Sequence, residues 1–329
     1  MDLYPMKLIA SLKDYFWGGT KLKTRYGKKT NLSKVAESWE LSCHPDGQSI
    51  IANGAFAGMT LAEWISLAGK DVLGSRAKSY MEFPLLVKLI DAEDNLSVQV
   101  HPNDVYAQCV EGGSGKTEVW YIIDAEPGAK LIYGLSRKVS KEEFRKHIER
   151  GTLLDICNQL PVHKGDVFFI SAGTLHSIGK GILLCEVQQS SNTTYRVFDY
   201  ERFDRDGKPR ELHVDKALDV VRLEPQGSNI AHPVKVGTSA DADVDMLATC
   251  DYFTIFHITV YDKCSLKVQM ESFQTFTVID NELVLQWGGR EVEIKRGETI
   301  FLPAGFGCYT LVGNGELILS SQKNDLDVL

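Results

Sequence analysis

Strand-like alternation of apolar and polar residues dominates this chain. The runs EFPLLVKLIDA, EVWYIIDA, AKLIYGL, DVFFISAG, GILLCEVQQ and TYRVFDY are short, apolar or alternating, and broken by Gly, Asp, Asn or Pro. Two stretches read instead as helices. TLAEWISLAGKDVLGSRAKSYM, near 60–82, opens with Thr60 and Glu63; SKEEFRKHIERGTLLDICNQL, near 140–160, opens with Ser140 and Glu143. Both pairs have the S/T-x-x-E spacing in which a hydroxyl and a carboxylate each satisfy the other's backbone N–H. The pattern predicts a mainly β protein, a sandwich or barrel with helical insertions.

From about Leu223 to Cys250 the chain turns irregular, and everything after it is strand-like again. This predicts a larger domain over 1–240, carrying the helical segments, and a smaller β-domain over 241–329. A short internal repeat supports two similar modules. GDVFFISAGTLH, Gly165 to His176, aligns without a gap with GETIFLPAGFGC, Gly297 to Cys308. His176 is answered by Cys308, so one module is expected to carry a site that the other lacks.

Polar residues on otherwise apolar strand faces point to chemistry. In NLSVQVHPND, alternation puts Ser97, Gln99 and His101 on one face, and Pro102 ends the strand. In GKTEVWYII, Lys116 and Glu118 share a face; His176 closes SAGTLH. Two His, one Glu and one Gln from three strands suit a divalent ion such as Zn²⁺, Fe²⁺, Mn²⁺ or Ni²⁺. Taken singly, a His beside a Pro usually satisfies a local hydrogen bond, Glu118 reads as a surface carboxylate, and His176 as a turn cap. The joint pattern is what favours a metal. Lys88 interrupts the apolar run LLVKLID, and Arg196 follows SSNTTY. Cations beside a metal suit an anionic, oxygen-rich ligand such as a sugar phosphate, although each alone reads as a salt-bridge partner.

Bulk properties narrow the class. The 329 residues are 43% hydrophobic and 24% charged, with a formal net charge of −8. That balance argues against nucleic-acid or membrane-surface binding. Seven Cys without a CxxC pair, no signal-peptide pattern and no run long enough to cross a membrane lead to the expectation of free thiols in the cytoplasm.

These residues lie in motifs that resemble the type I mannose-6-phosphate isomerases, in their short bacterial form. The likeness covers nearly the whole chain: WGG at Trp17–Gly19, ESWELSCHPDGQS at Glu37–Ser49, then FPLLVKLIDAEDNLSVQVHPND, GKTEVWYI, SAGTLHSIG and EVQQSSNTTYRVFDY in family order. The resemblance implies a double cupin, two jelly-roll-like barrels with a helical insertion, and one zinc per chain. It places the metal ligands on Gln99, His101, Glu118 and His176. It places active-site roles on Arg196, Lys116 and Glu186, and substrate contacts on Ser97, Lys88, Lys116 and Arg196. It implies interconversion of mannose 6-phosphate and fructose 6-phosphate through a cis-enediol, by a monomer or homodimer. Two departures stand out: Asn192 where many relatives have Asp, and Ser171 where cupins usually have Pro. Two other readings use the same residues. One is a cupin Fe(II) oxygenase, since two His and a carboxylate also make that enzyme's facial set. The other is a non-catalytic sugar-phosphate-binding cupin.

Overall fold

The computed structural model describes residues 3–203, 207–227, 231–322 and 326–328. Among these, the strands form three sheets. A six-stranded and a five-stranded sheet build the first barrel. The six-stranded sheet runs Val167–Ile170, Glu118–Ala125, Ile182–Gln189, Leu85–Ala92, Glu37–Leu41 and Ser11–Lys13; the five-stranded one runs Tyr195–Phe198, Val98–Val100, His176–Ser177, Lys130–Leu135 and Cys157–Pro161. Their inner faces meet, since His176 on one sheet lies 3.3 Å from Glu118 on the other. The third sheet, of eleven strands, forms the second barrel. It takes in Met6–Ile9, which pairs antiparallel with Thr299–Leu302, so the first strand of the chain hydrogen-bonds to the C-terminal module.

The central strands of the six-stranded sheet are buried on both faces. Along Ile182–Gln189, Leu183, Cys185 and Val187 face a core shared between the barrels, with Trp64, Phe273 and Phe301. Ile182 and Leu184 face the first barrel's interior with Trp17, Trp120 and Phe168. Alternation then carries Glu186 and Gln188 to that same interior. A third core, around Phe144, Leu135 and Tyr195, seats two helices, Lys141–Glu149 and Val214–Val220, on the five-stranded sheet.

The helices are shorter than their sequence pattern predicts. The Thr60–Glu63 capping box forms, but the α-helix covers only Leu61–Ala68. Gly69 and Gly74, at φ +86 and +89, turn the rest into two short 3-10 segments. The second helix covers Lys141–Glu149 and ends at Gly151, φ +66; the chain then makes a 3-10 turn and the strand Cys157–Pro161. Its capping box is half formed. Ser140 accepts from the Glu143 N–H at 3.1 Å, while the Glu143 carboxylate accepts from Arg137 at 2.6 Å.

The stretch read as an irregular link contains two paired strands, Val234–Thr238 and Ala242–Thr249; positions 228–230 lie outside the described residues. In ADVDMLAT the buried residues are Ala242, Val244 and Leu247, and a bulge between Met246 and Ala248 breaks the period. A helix at Asp104–Val110 also escaped the pattern, although Asn103 caps it by accepting from the Tyr106 N–H.

The internal repeat is structural. Gly165 and Gly297 have φ +92 and +81, and Gly173 and Gly305 have +86 and +74. Each pair brackets a strand, Val167–Ile170 and Thr299–Leu302. At the equivalent ends, His176 is fully buried and Cys308 is exposed.

Gly179, just beyond His176, approaches the Lys130 carbonyl so closely that a Cβ would sit 1.8 Å from its oxygen. Gly179→Ala is expected to cost roughly 1–3 kcal/mol and to lower the denaturant midpoint with an unchanged slope. A midpoint equal to wild type would show that this approach does not secure the His176 turn.

Candidate functional site

Strand register assembles two rows of side chains facing each other. In the five-stranded sheet Arg196, Gln99, His176 and Tyr133 are cross-strand neighbours. In the six-stranded sheet Trp39, Lys88, Glu186 and Trp120 are. The polar positions predicted from alternation therefore converge on one barrel interior.

The donor set is arranged by hydrogen bonds behind it. His101 Nδ1 donates to the Thr193 carbonyl at 2.9 Å, and His176 Nδ1 to the Thr174 carbonyl at 2.8 Å. Those bonds set the tautomer and leave each Nε2 unprotonated, an acceptor approached by Lys116 at His101 and by the Gln99 amide at His176. Both Nε2 atoms face Glu118, at 3.6 Å from His101 and 3.3 Å from His176. Burial holds both imidazoles neutral: His176 is pulled down to about 4, and His101 well below its ordinary value with help from the Lys116 charge. Glu118 is fully buried, and neither oxygen receives an aligned hydrogen bond. The Lys116 ammonium lies 3.1 Å from Glu118 Oε2 and 3.1 Å from His101 Nε2. Burial and the nearby Glu186 charge push the Glu118 carboxyl above its usual range.

One donor atom each from His101, Glu118 and His176 lies within 4.8 Å of the others; among the described residues this is the one such group of three. Gln99 adds its amide, with Nε2 at 3.4 Å from His176 Nε2 and Oε1 accepting from Ser97 at 3.3 Å. A half-turn of the amide presents Oε1 to the same point. Two unprotonated imidazole nitrogens and a buried carboxylate whose one cationic partner among the described residues is the Lys116 ammonium fit a divalent cation, because three such donor atoms converge on one point.

Beside the donor set opens a cleft of about 280 Å³. Ser97, Gln99, Lys88, Lys116, Glu186 and Arg196 line it, so every substrate-contact and active-site position inferred from sequence reaches one cavity. His101, Glu118 and His176 lie behind its wall. Lys88 is buried 3.0 Å from Glu186 and 3.8 Å from Glu37. Burial opposes its charge, but the two carboxylates win and raise it above its ordinary value. Trp120 Nε1 donates to Glu186 at 2.8 Å. Burial opposes the Glu186 charge too, yet Lys88 and Lys116 hold it well below the carboxylate range. Arg196, drawn below its usual value by burial and by nearby Arg210, donates from Nη1 to the Glu211 carbonyl at 3.0 Å; its Nε is buried without a partner.

Sequence reasoning assigned no role to part of the lining, Tyr15, Trp17, Glu37, Thr194 and Arg210, and marked Asn192 only as a departure from the family pattern. Trp17 and Glu37 carried a signal, as members of the WGG and ESWE motifs. Glu37 accepts from Trp39 Nε1 at 2.7 Å, which turns its carboxylate toward Lys88. Asn192 donates to Asp46 at 2.8 Å, a bond that an aspartate could not make while ionised. Ser171, in the place of a proline, accepts from Arg222 at 2.9 Å and ties the turn before His176 to the chain just beyond the Val214–Val220 helix.

The fold and site thus define a double cupin in which one barrel holds a buried His–Glu–His donor set beside a cation-lined cleft. Residues 6–121 match the model of phosphomannose isomerase type I, catalytic domain, and residues 243–322 that of the mannose-6-phosphate isomerase cupin domain. The chain is similar to mannose-6-phosphate isomerase ManA of Bacillus subtilis, 38% identical over 97% of this chain and 99% of that protein. It is also similar to a mannose-6-phosphate isomerase of Streptococcus mutans, 34% identical over 97% and 98%. The crystal structure of mannose 6-phosphate isomerase from Bacillus subtilis superposes with a TM-score of 0.90, at 34% identity over 96% of this chain and 99% of that one. The chain belongs to the type I phosphomannose isomerase family and is an isomerase.

Zinc should raise the thermal midpoint of the wild-type protein, by the equivalent of about 2.7 kcal/mol at a hundred times its dissociation constant. Glu118→Gln should remain folded and lose that shift. A zinc-dependent shift of wild-type size in Glu118→Gln would contradict this donor set.

Proposed function

We propose that the cleft interconverts mannose 6-phosphate and fructose 6-phosphate through a cis-enediol. The observation that carries this reading is the single cavity shared by Gln99, Lys116, Glu186 and Arg196, set against the His101–Glu118–His176 donor set. Gln99, His101, Glu118 and His176 would hold one zinc ion. When bound, the ion supplies Lewis acidity toward the oxygens on C1 and C2 of the open-chain sugar.

The chain's own groups divide the remaining work. The reaction moves a proton between C2 and C1, so one group must take it and return it. Lys88 is held as an ammonium by two carboxylates. Glu186 is held ionised with weak proton affinity by Lys88 and Lys116. The imidazoles are committed through Nε2 to the donor set, and a guanidinium stays charged. Lys116 remains: its Nζ lies between the donor set and the cleft. Once a bound cation takes over the Glu118 carboxylate, Lys116 can release its proton to solvent and act as a free amine, which would accept the C–H proton from one carbon and return it to the other; we assign it the proton transfer. Arg196 faces developing negative charge, which a fixed cation in a water-poor site stabilises. Glu186 keeps the Lys88 and Trp120 side of the cleft in place through its two oxygens.

An oxygenase reading has no use for four cations along the cleft, and a binding-only reading has none for Lys116 beside the donor atoms. None of the seven cysteines is in a disulfide, which supports a reducing compartment. No helix among the described residues is long and apolar enough to cross a membrane.

The test is conversion of mannose 6-phosphate by wild type and Lys116→Met, each with its zinc content measured. The variant should retain zinc and lose roughly 10²–10⁴-fold in kcat. Turnover within a few-fold of wild type would remove Lys116 from the proton transfer.

A further inference from the structure

Lys116 sits at the end of a loop that cannot hold it alone. It follows Glu111, Gly112, Gly113, Ser114 and Gly115, and the chain is exposed as far as Ser114 and buried from Gly115 onward. Nothing approaches the points where Gly112 and Gly113 would carry a Cβ. Glycine loses more backbone freedom on ordering than any other residue, so this loop supplies no fixed approach to the lysine. The Lys116 side chain is held by Glu118 at 3.1 Å. A cation at the donor set takes that carboxylate away, and the placement of Lys116 then falls to its backbone.

Three successive backbone N–H groups are clamped there. Gly115 donates to Asp104 Oδ1 at 2.8 Å, Lys116 to the Pro102 carbonyl at 3.0 Å, and Thr117 to Gln189 Oε1 at 2.9 Å. Gln189 is buried, and its Nε2 donates to Asp104 Oδ1 at 2.9 Å, so the two side chains act as one unit. The other Asp104 oxygen, Oδ2, accepts from the Tyr252 hydroxyl at 2.7 Å. Tyr252 comes from the second barrel, in the turn between Ala242–Thr249 and Thr254–Val260. Burial and the bond to Asp104 keep its phenol protonated, raised above its ordinary value. Gly115 is what lets the chain come this close, since a Cβ there would lie 2.6 Å from the Asp104 backbone nitrogen.

Asp104 does not line the cleft. With Gln189 it lines a separate cavity of about 560 Å³ that shares no residue with the cleft. We infer that Asp104 is a positioning residue for the proton transfer, acting on Lys116 through the backbone of 115–117, and that Tyr252 carries the second barrel's part in that placement. The inference rests on the reading of Lys116 as the proton-transfer group. A carboxylate suits the task because it accepts all three bonds at once, and bonds to an ionised acceptor are the stronger kind. A barrel without a donor set of its own thereby takes part in the reaction.

The test compares Asp104→Ala, Asp104→Asn and Tyr252→Phe in the zinc-loaded protein. The readings are kcat and KM for mannose 6-phosphate, zinc content, the isotope effect with substrate deuterated at C2, and amide exchange at Gly115 and Thr117. Asn103 still caps the helix in each variant, so all should fold. Asp104→Ala should lower kcat roughly ten- to a hundredfold with KM within about threefold of wild type, because a misplaced group loses rate rather than binding. It should keep its zinc, exchange faster at Gly115 and Thr117, and show a larger isotope effect as proton transfer becomes the slow step. Tyr252→Phe should move each reading the same way by less. Asp104→Asn, whose amide oxygen can still accept from Gly115 and Gln189, should recover most of the kcat that Asp104→Ala loses. If Lys116→Met keeps turnover, the proton-transfer reading falls alone, and faster exchange in Asp104→Ala still upholds the clamp. With Lys116→Met inactive, a kcat within about twofold of wild type in Asp104→Ala, or a loss of kcat that follows loss of zinc, would overturn the inference.

Discussion

Glu118 is fully buried between two imidazoles whose unprotonated Nε2 atoms face it, and neither of its oxygens receives an aligned hydrogen bond. A carboxylate in that position is unfavourable unless something cationic completes it. Much of the first barrel is organised around meeting that demand. The backbone carbonyls of Thr193 and Thr174 hold the imidazoles in the required tautomer. Lys116 leans on the same carboxylate from the cleft side. Glu186, the next acid along the interior, is compensated separately by Lys88 and Trp120. Two buried carboxylates can coexist here because each has its own countercharge.

The second barrel shows what the same frame does without that demand. Its repeat keeps both turn glycines and the strand between them. Its interior is filled by Phe276, Leu302, Tyr309 and Leu311, and the position equivalent to His176 is an exposed cysteine. Apolar packing there replaces donor atoms. The core shared by the barrels, around Trp64, Phe273 and Phe301, covers the outer face of the six-stranded sheet whose inner face bears Lys88, Glu118 and Glu186. Burial on both sides is what makes those charged positions dry, and so what shifts their proton affinities.

The strand face that bears the donor set was legible because strand alternation is local. Ser97, Gln99 and His101 needed only a period of two, and Lys88 stood out within an apolar run. The helices were half legible. Thr60 and Ser140 marked where they start, but the stops at Gly69 and Gly151 are single positive-φ residues inside runs that still looked periodic. The Ala242–Thr249 strand hid because a bulge between Met246 and Ala248 breaks its alternation, so that Ala242, Val244 and Leu247 are buried out of period. Arg210 and Tyr15 carried no local signal: one follows positions 204–206, outside the described residues, and the other precedes the WGG motif. Only tertiary packing, with Phe16 and Asp199 as intermediaries, brings them to the cleft.

The most direct test of the account is turnover of mannose 6-phosphate by the purified protein, followed through chelation and titration with zinc. The account predicts that chelation abolishes turnover and that activity returns linearly until one zinc per chain is bound. Full activity in protein shown by elemental analysis to be free of divalent metal would contradict it, because Glu118 and its two imidazoles would then have no part in the chemistry.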